Sequence, residues 1–472
     1  MPPMTKQRAA RPLVAAVAAL LLGCGAGDRA RNRPNIVLVV LCSFRLDHAG
    51  FAGYGRATTP FLDRLAAEGE VFDNAFSASS WTKPATTSLL TGLTPNAHQL
   101  VDGYRTERIL GGGVLPHRVL PDRVLTLAES LRDAGYATAC RVNNVHAGAF
   151  FNLTQGCEDA VTRYHMRTAR MIDDLAAWLR HLDGERPFFF LIFTLDAHIP
   201  YSPEYRDYRR FYRGSSAVPE TELEQLVERT HREVWSLLQE GEIPDELRRL
   251  WIDLYDAALA GLDRRLSRLP EVLATAGVES ETVIVVTADH GESFFEPGRG
   301  GFRRATHGFD LGDALIRIPL LFRGPSITPG RRVERVVRSI DLFPTLAELA
   351  VSERPAHLQG RSLVPLLHGR EDRFPRLTAF ASRAAGAHQA VHDGRFKLHY
   401  RHPDRRQLYD TAVDPWELRN ILAERPAVAR SLEQELAAWQ AQEESLREVV
   451  GEVWSREPTP EVVEELRSLG YL

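Results

Sequence analysis

Four continuous apolar runs constrain this chain more than any other feature: Asn35–Leu41, Pro187–Phe193, Thr282–Thr287 and Ile318–Phe322. A strand with one face in water alternates apolar and polar residues. These runs do not alternate, and they are rich in β-branched or aromatic residues, so each predicts a central parallel strand buried on both faces. Helical patterns lie between them. One starts at Thr59–Ala66, with Pro60 where a missing N–H costs nothing. Leu125–Ala134 is another, ending at Gly135, and Met171–Leu182 is a third. Strands alternating with helices predict an α/β fold with a doubly wound, mostly parallel sheet flanked by helices. At 472 residues and 44% hydrophobic content the chain has ample material for a large core.

Residues 220–269 are charged and helix-periodic and are expected to cover the sheet or flank a site entrance. From about Arg376 the texture changes. Short strand-like pieces appear at Thr378–Ser382, Ala390–His392 and Phe396–Tyr400, with a turn at Asp393-Gly394 and an amphipathic helix over Ala427–Val449. This predicts a small C-terminal antiparallel sheet plus helix. The expected organisation is a main domain over 34–372 and a C-terminal α+β subdomain over 373–472.

The N-terminus predicts export. Lys6, Arg8 and Arg11 precede an apolar run, Leu13–Leu22, that is short for a membrane span and suits a signal-peptide core. The run ends Leu21-Leu22-Gly23-Cys24, which looks like a bacterial lipobox with Cys24 as the lipidated residue; an ordinary cleavage nearby is the alternative. Residues 1–24 are then a lipoprotein signal peptide and 25–33 a flexible tether, placing the protein in the cell envelope, anchored to the membrane by lipid. Export permits disulfides. Cys140 and Cys157 could pair and leave Cys42 alone, although sequence does not decide this. Lys plus Arg total 58 against 62 Asp plus Glu, so no nucleic-acid partner is expected.

In open α/β sheets, ligands bind beyond the carboxyl ends of the strands. The first run ends at Cys42-Ser43, and the third at Asp289-His290-Gly291-Glu292. Carboxylate and imidazole together suit a divalent metal. Thr82 precedes Pro84, where a helix should begin, and Gly92 marks its stop. Free N–H groups there favour a sulfate or phosphate. The Thr82 hydroxyl is either a metal-activated nucleophile or a simple helix cap. His198 follows the Phe-rich run, and His307 lies in the loop after Asp289-His290; both can bind an anion or protonate a leaving alkoxide.

These segments resemble the sulfatase family of the alkaline-phosphatase superfamily, from Arg33 to Leu472. Pro34–Leu38 resembles the opening strand and Thr58–Gly69 the first helix. Thr82-x-Pro84-Ala85-Thr86, then Thr91-Gly92, has the spacing of the Cys/Ser-x-Pro-Ser-Arg…Thr-Gly signature. Thr287–Glu292, Asp341–Leu346, Gly360–Leu363, Leu408–Asp410 and Asp414–Glu417 with Asn420 match later segments. The resemblance implies hydrolysis of a sulfate or phosphate ester. The nucleophile position falls to Thr82, metal positions to Asp289 and His290, and anion-binding or proton-donor positions to His198 and His307. It also implies one divalent metal, usually calcium.

The sequence departs from that pattern at four places. Cys42 and Ser43 stand where acidic metal ligands belong, and a thiol suits zinc better than calcium; manganese is also compatible. Thr82 replaces an oxidisable residue and cannot become formylglycine. Ala85 and Thr86 replace the signature Ser and Arg. Lys83, Arg303 and Arg304 are candidates to supply positive charge to the substrate. Three readings follow: a sulfatase-like hydrolase of a small-molecule or glycan ester, a phosphoryl or phosphonate ester hydrolase or phosphotransferase using Thr82, and a pseudoenzyme binding an anionic glycan, lipid or protein partner.

Overall fold

The computed structural model describes residues 33–101, 116–237, 243–296, 305–352 and 358–468. Among these, the main sheet has nine strands: β1 (Asn35–Leu41), β2 (Glu70–Phe76), β3 (Ala137–Val142), β4 (Asp159–Thr162), β5 (Phe188–Thr194), β6 (Thr282–Ala288), β7 (Arg317–Ile318), β8 (Leu320–Arg323) and β9 (Arg331–Arg338). Their order is β7-β2-β8-β6-β1-β5-β3-β4, with β9 also pairing β2. From β6 to β4 every pairing is parallel. Strands β1, β5 and β6 are buried at every residue, as unbroken apolar runs require.

The Ile318–Phe322 run corrects one expectation. It does not form a single parallel strand. Pro319, which lacks a ladder N–H, divides it into β7 and β8, and β8 runs antiparallel to both β6 and β2. Two-face burial makes a strand apolar whichever way it points, so composition carried no information on its direction.

Helices Pro60–Glu68, Leu127–Asp133 and Thr168–Leu179 form close to their expected places. Thr126 and Glu129 cap the second reciprocally. The charged insert forms helices Leu223–Leu237 and Asp245–Leu266. None of the described helices is long and apolar enough to cross a membrane. Cys140 and Cys157 are disulfide-bonded, tying β3 to the segment before β4.

The C-terminal sheet is antiparallel and follows chain order: β10 (Ala379–Arg383), β11 (His388–His392), β12 (Phe396–Arg401) and β13 (Arg405–Asp410). Helix Pro426–Val450 lies against it, with Leu432 and Leu436 packed among Val391, Leu398 and Leu408. The Trp439 ring stacks on Phe380 at 4.1 Å.

Candidate active site

Register brings the site together. In the parallel pairing of β1 with β6, Leu41 faces Ala288, so Cys42 and Asp289 leave adjacent strand ends side by side. Cys42 Sγ donates to Asp289 Oδ2 at 3.3 Å. The other carboxylate oxygen, Oδ1, accepts the backbone N–H of Ser43 at 3.2 Å and of His290 at 2.7 Å. Ser43 turns the chain here with φ 58°, a conformation uncommon for a residue with a side chain. Tyr255, from the Asp245–Leu266 helix, pins that turn: its hydroxyl accepts from Arg45 N at 2.7 Å and donates to Ser43 O at 3.1 Å.

His290 Nδ1–H donates to Gly291 O at 2.7 Å, which turns Nε2 inward, 3.4 Å from Asp289 Oδ2. Gly291 is required for close approach: a Cβ there would stand 2.0 Å from Ala314 O. Thr82 Oγ1 completes the group, 3.3 Å from His290 Nε2 and 3.6 Å from Cys42 Sγ. Cys42, Thr82, Asp289 and His290 are all fully buried. Burial, then the Asp289 charge, pushes the Cys42 thiol well above its ordinary value. Burial lowers the His290 imidazole.

Thr82 is not a helix cap. Trp81 holds the cap position, and Thr82 is the first helical residue of Thr82–Thr91, with Pro84 third rather than first. Gly92 does end the helix, at φ 67°. Thr86, one turn on, has a buried hydroxyl with no hydrogen-bond partner among the described residues.

His307 and His198 join the same group. The His307 ring lies 4.4 Å from His290 and 5.1 Å from His198. His198 Nδ1–H donates to Ile199 O at 2.6 Å, and its buried Nε2 has no partner among the described residues. Burial, then the neighbouring His307, holds His198 down at about 3, and burial holds His307 at about 4. Both are therefore neutral near pH 7.

Lys83 is buried, with its ammonium 4.7 Å over the Phe151 ring and 5.7 Å over Trp81. It lowers the nearby His146, after burial itself. Arg303, Arg304 and Cys24 lie outside the described residues.

Three groups escaped sequence reasoning. Glu292 lies 3.2 Å from His307 Nδ1 and is pushed up to about 7 by burial. His146 is buried against Phe151 and Trp81, and burial, then Lys83, holds it well below its ordinary value. Asn144 Nδ2 reaches Cys42 Sγ at 3.8 Å. The signal was present for the last two: both follow the carboxyl end of β3, at the edge where ligands bind.

The family model "Sulfatase" matches residues 34–352. This chain belongs to the sulfatase family. A second model, "N-sulphoglucosamine sulphohydrolase, C-terminal", matches residues 311–442. Among relatives, this sulfatase-family chain is 26% identical to choline-sulfatase of Rhizobium meliloti (strain 1021), covering 84% of the chain and 83% of the relative. It is also 26% identical to human arylsulfatase A, covering 85% and 86%. Two solved structures share the fold. Phosphonate monoester hydrolase of Agrobacterium radiobacter superposes with TM-score 0.68 at 22% identity, covering 87% of this chain and 96% of that one. A protein solved with its substrate D-glucosamine-2-N,6-O-disulfate gives 0.69 at 20%, covering 88% and 98%.

Proposed function

We propose that this sulfatase-family protein hydrolyses a sulfate or phosphate ester, with Thr82 as nucleophile. The observation that carries the reading is the convergence of Thr82 Oγ1 on His290 Nε2, Cys42 Sγ and Asp289 within one buried cluster. Those four side chains would hold one divalent cation; the family resemblance implies calcium, and Cys42 and Thr82 admit zinc or manganese. Bound there, the cation would supply positive charge that attracts the ester's anion and favours the alkoxide of Thr82.

The remaining work falls to the chain. Thr82 Oγ attacks sulfur or phosphorus in line, forming the Oγ–S or Oγ–P bond as the ester bond to the alcohol breaks. The Thr82 proton is lost to solvent on the attacking side, and His198 or His307, taking up a proton from solvent in exchange, delivers it to the departing alkoxide on the opposite side. Water then releases the sulfate or phosphate and regenerates Thr82. Because Thr82 cannot form formylglycine, phosphate and phosphonate esters, or transfer of the phosphoryl group, are the preferred chemistries beside sulfate esters.

The substrate is a small-molecule or glycan ester. The chains named above as choline-sulfatase and as the binder of a disulfated glucosamine support that class. Cys42, Ser43 and Thr86, standing where the family carries acidic and Arg side chains, favour a second reading: a pseudoenzyme that binds an anionic glycan, lipid or protein partner without turnover.

The same proposal places the protein in the cell envelope, lipid-anchored at Cys24, with a main domain over 34–372 and a C-terminal subdomain over 373–472. The Cys140–Cys157 disulfide supports an oxidising compartment. Loss of fatty-acid labelling and release from membranes in Cys24→Ser is the expected result; unchanged labelling would refute the anchor. Turnover is tested with aryl sulfates, phosphodiesters and phosphonate esters against Thr82→Ala. Rates equal in the two proteins would leave the pseudoenzyme reading.

A further inference from the structure

The family resemblance implies calcium, and the donor atoms disagree with it. Calcium takes about six to eight oxygen ligands. The cluster offers two oxygens, Thr82 Oγ1 and Asp289 Oδ2, beside one sulfur and one imidazole nitrogen. The positions that would add carboxylate oxygens at the end of β1 are Cys42 and Ser43. Asp289 Oδ1 is already committed to two backbone N–H groups, which leaves Oδ2 as a single donor.

Around the ring Cys42–Asp289–His290–Thr82, successive donor atoms stand 3.3, 3.4, 3.3 and 3.6 Å apart. Four ligands at roughly 2.0–2.3 Å and tetrahedral angles stand about 3.3–3.8 Å apart, the shell zinc adopts. A square-planar shell with the same bonds would bring neighbours to about 2.8–3.3 Å, at or below the shortest of these separations. The spacing also suits adjacent ligands of a larger ion, so the donor chemistry decides: thiolate and imidazole select a borderline cation over a hard one.

The surroundings are arranged for the same end. The Gly291 carbonyl fixes the His290 tautomer with Nε2 inward, as partners beyond the ligands do in zinc sites. Asn144 Nδ2 at 3.8 Å and Ser43 Oγ at 3.9 Å are placed to stabilise negative charge on Cys42 Sγ.

We infer that this site selects a four-coordinate, thiolate-accepting cation of the zinc class rather than calcium, held by Cys42 Sγ, Thr82 Oγ1, Asp289 Oδ2 and His290 Nε2. The inference rests on the metal site of the hydrolase reading but is independent of turnover. It is tested by metal analysis of the full mature protein purified in the presence of excess calcium, together with absorption spectra of the cobalt-substituted form. One zinc per chain and a thiolate-to-cobalt charge-transfer band are expected. Cys42→Ser should abolish that band and weaken zinc binding by about 10-fold or more. Cys42→Asp should shift the bound ion to calcium or manganese.

Calcium bound in place of zinc, or a cobalt band that persists in Cys42→Ser, overturns the inference. If Cys42→Ser does not fold, the metal content and cobalt spectrum of the unaltered protein still decide. Ester hydrolysis by a calcium-loaded protein would overturn the zinc inference and leave the hydrolase reading standing. A zinc-loaded protein with no turnover above Thr82→Ala would do the reverse.

Discussion

Among the described residues, two clusters bring acidic and imidazole side chains close enough to hold a metal ion: Cys42, Asp289 and His290 at the main sheet edge, and Asp310, His388 and His399 beside the C-terminal sheet. They differ in what already occupies the donors. In the second, His388 Nε2 and His399 Nδ1 hydrogen-bond each other at 3.0 Å, and His399 Nε2 lies 2.8 Å from Glu417. The Lys397 ammonium bridges Glu417 at 2.8 Å and Asp313 at 2.7 Å, and Arg401 approaches Asp310 at 3.5 Å. Cations of the chain itself neutralise the buried acids. In the first cluster, Asp289 has no Lys or Arg partner among the described residues. Its neighbours are a thiol, backbone N–H groups and an imidazole whose Nε2 faces inward. The same residue types therefore serve two ends. Where a protein cation is built in, the cluster holds the fold together; where none is, the negative charge stands without a Lys or Arg of the chain beside it among the described residues.

The sharpest way to break this contrast is at Thr82 and Asp289. Thr82→Ala should lower turnover by about 10³-fold or more, measured as initial rates on the best ester, with the unfolding temperature little changed. Asp289→Asn should remove the bound metal as well, read by metal analysis. Next in size is Lys397→Met. Removing the ammonium between Glu417 and Asp313, which then keep only the imidazoles of His399 and His392, should cost about 3–5 kcal/mol in denaturant unfolding, without changing metal content. His399→Gln should cost less, about 1–3 kcal/mol, again with the metal unaffected. A fall in metal content in that variant would put an ion in the second cluster and dissolve the distinction.

The smallest effect concerns acid. His198 is held at about 3 and His307 at about 4 by burial, whereas imidazoles in the unfolded chain titrate near 6.5. Between about pH 6.5 and 4 the unfolded chain therefore binds more protons, and metal-free stability should fall as pH falls. Unfolding curves across that window should be shallower in pH for His198→Gln. An equal slope in both proteins would mean that His198 takes its proton without penalty when folded.

Much of the fold was legible because burial leaves a mark on composition. The β1, β5 and β6 runs announced two-sided strands, and the helix at Pro60 announced itself by its proline. Thr82, His198, Asp289 and His290 were legible for a related reason: each lies just past a buried strand or at the start of a helix, where open α/β sheets bind ligands, and His307 was legible as an imidazole in the loop that follows Asp289-His290. Strand direction was not legible, as β8 shows, because an apolar residue is equally satisfied whichever way its strand runs. Glu292 was passed over because nothing in its immediate sequence separates a buried site residue from a packed one, and His146 was passed over although it follows the carboxyl end of β3.

The sequence by itself determined the donor types. It put a thiol and a hydroxyl at Cys42 and Ser43, a threonine at the nucleophile position, and an Asp-His pair after a buried strand. Only tertiary structure decided which of these meet. Cys42 and Asp289 are 247 positions apart in the chain, and they touch because β1 and β6 pair in parallel with Leu41 against Ala288. Parallel register is set by hydrogen bonds between distant segments, so no local pattern encodes it. That pairing makes four scattered residues one metal-sized group, while the ion pairs of Lys397 make a similar set of residues a structural clamp.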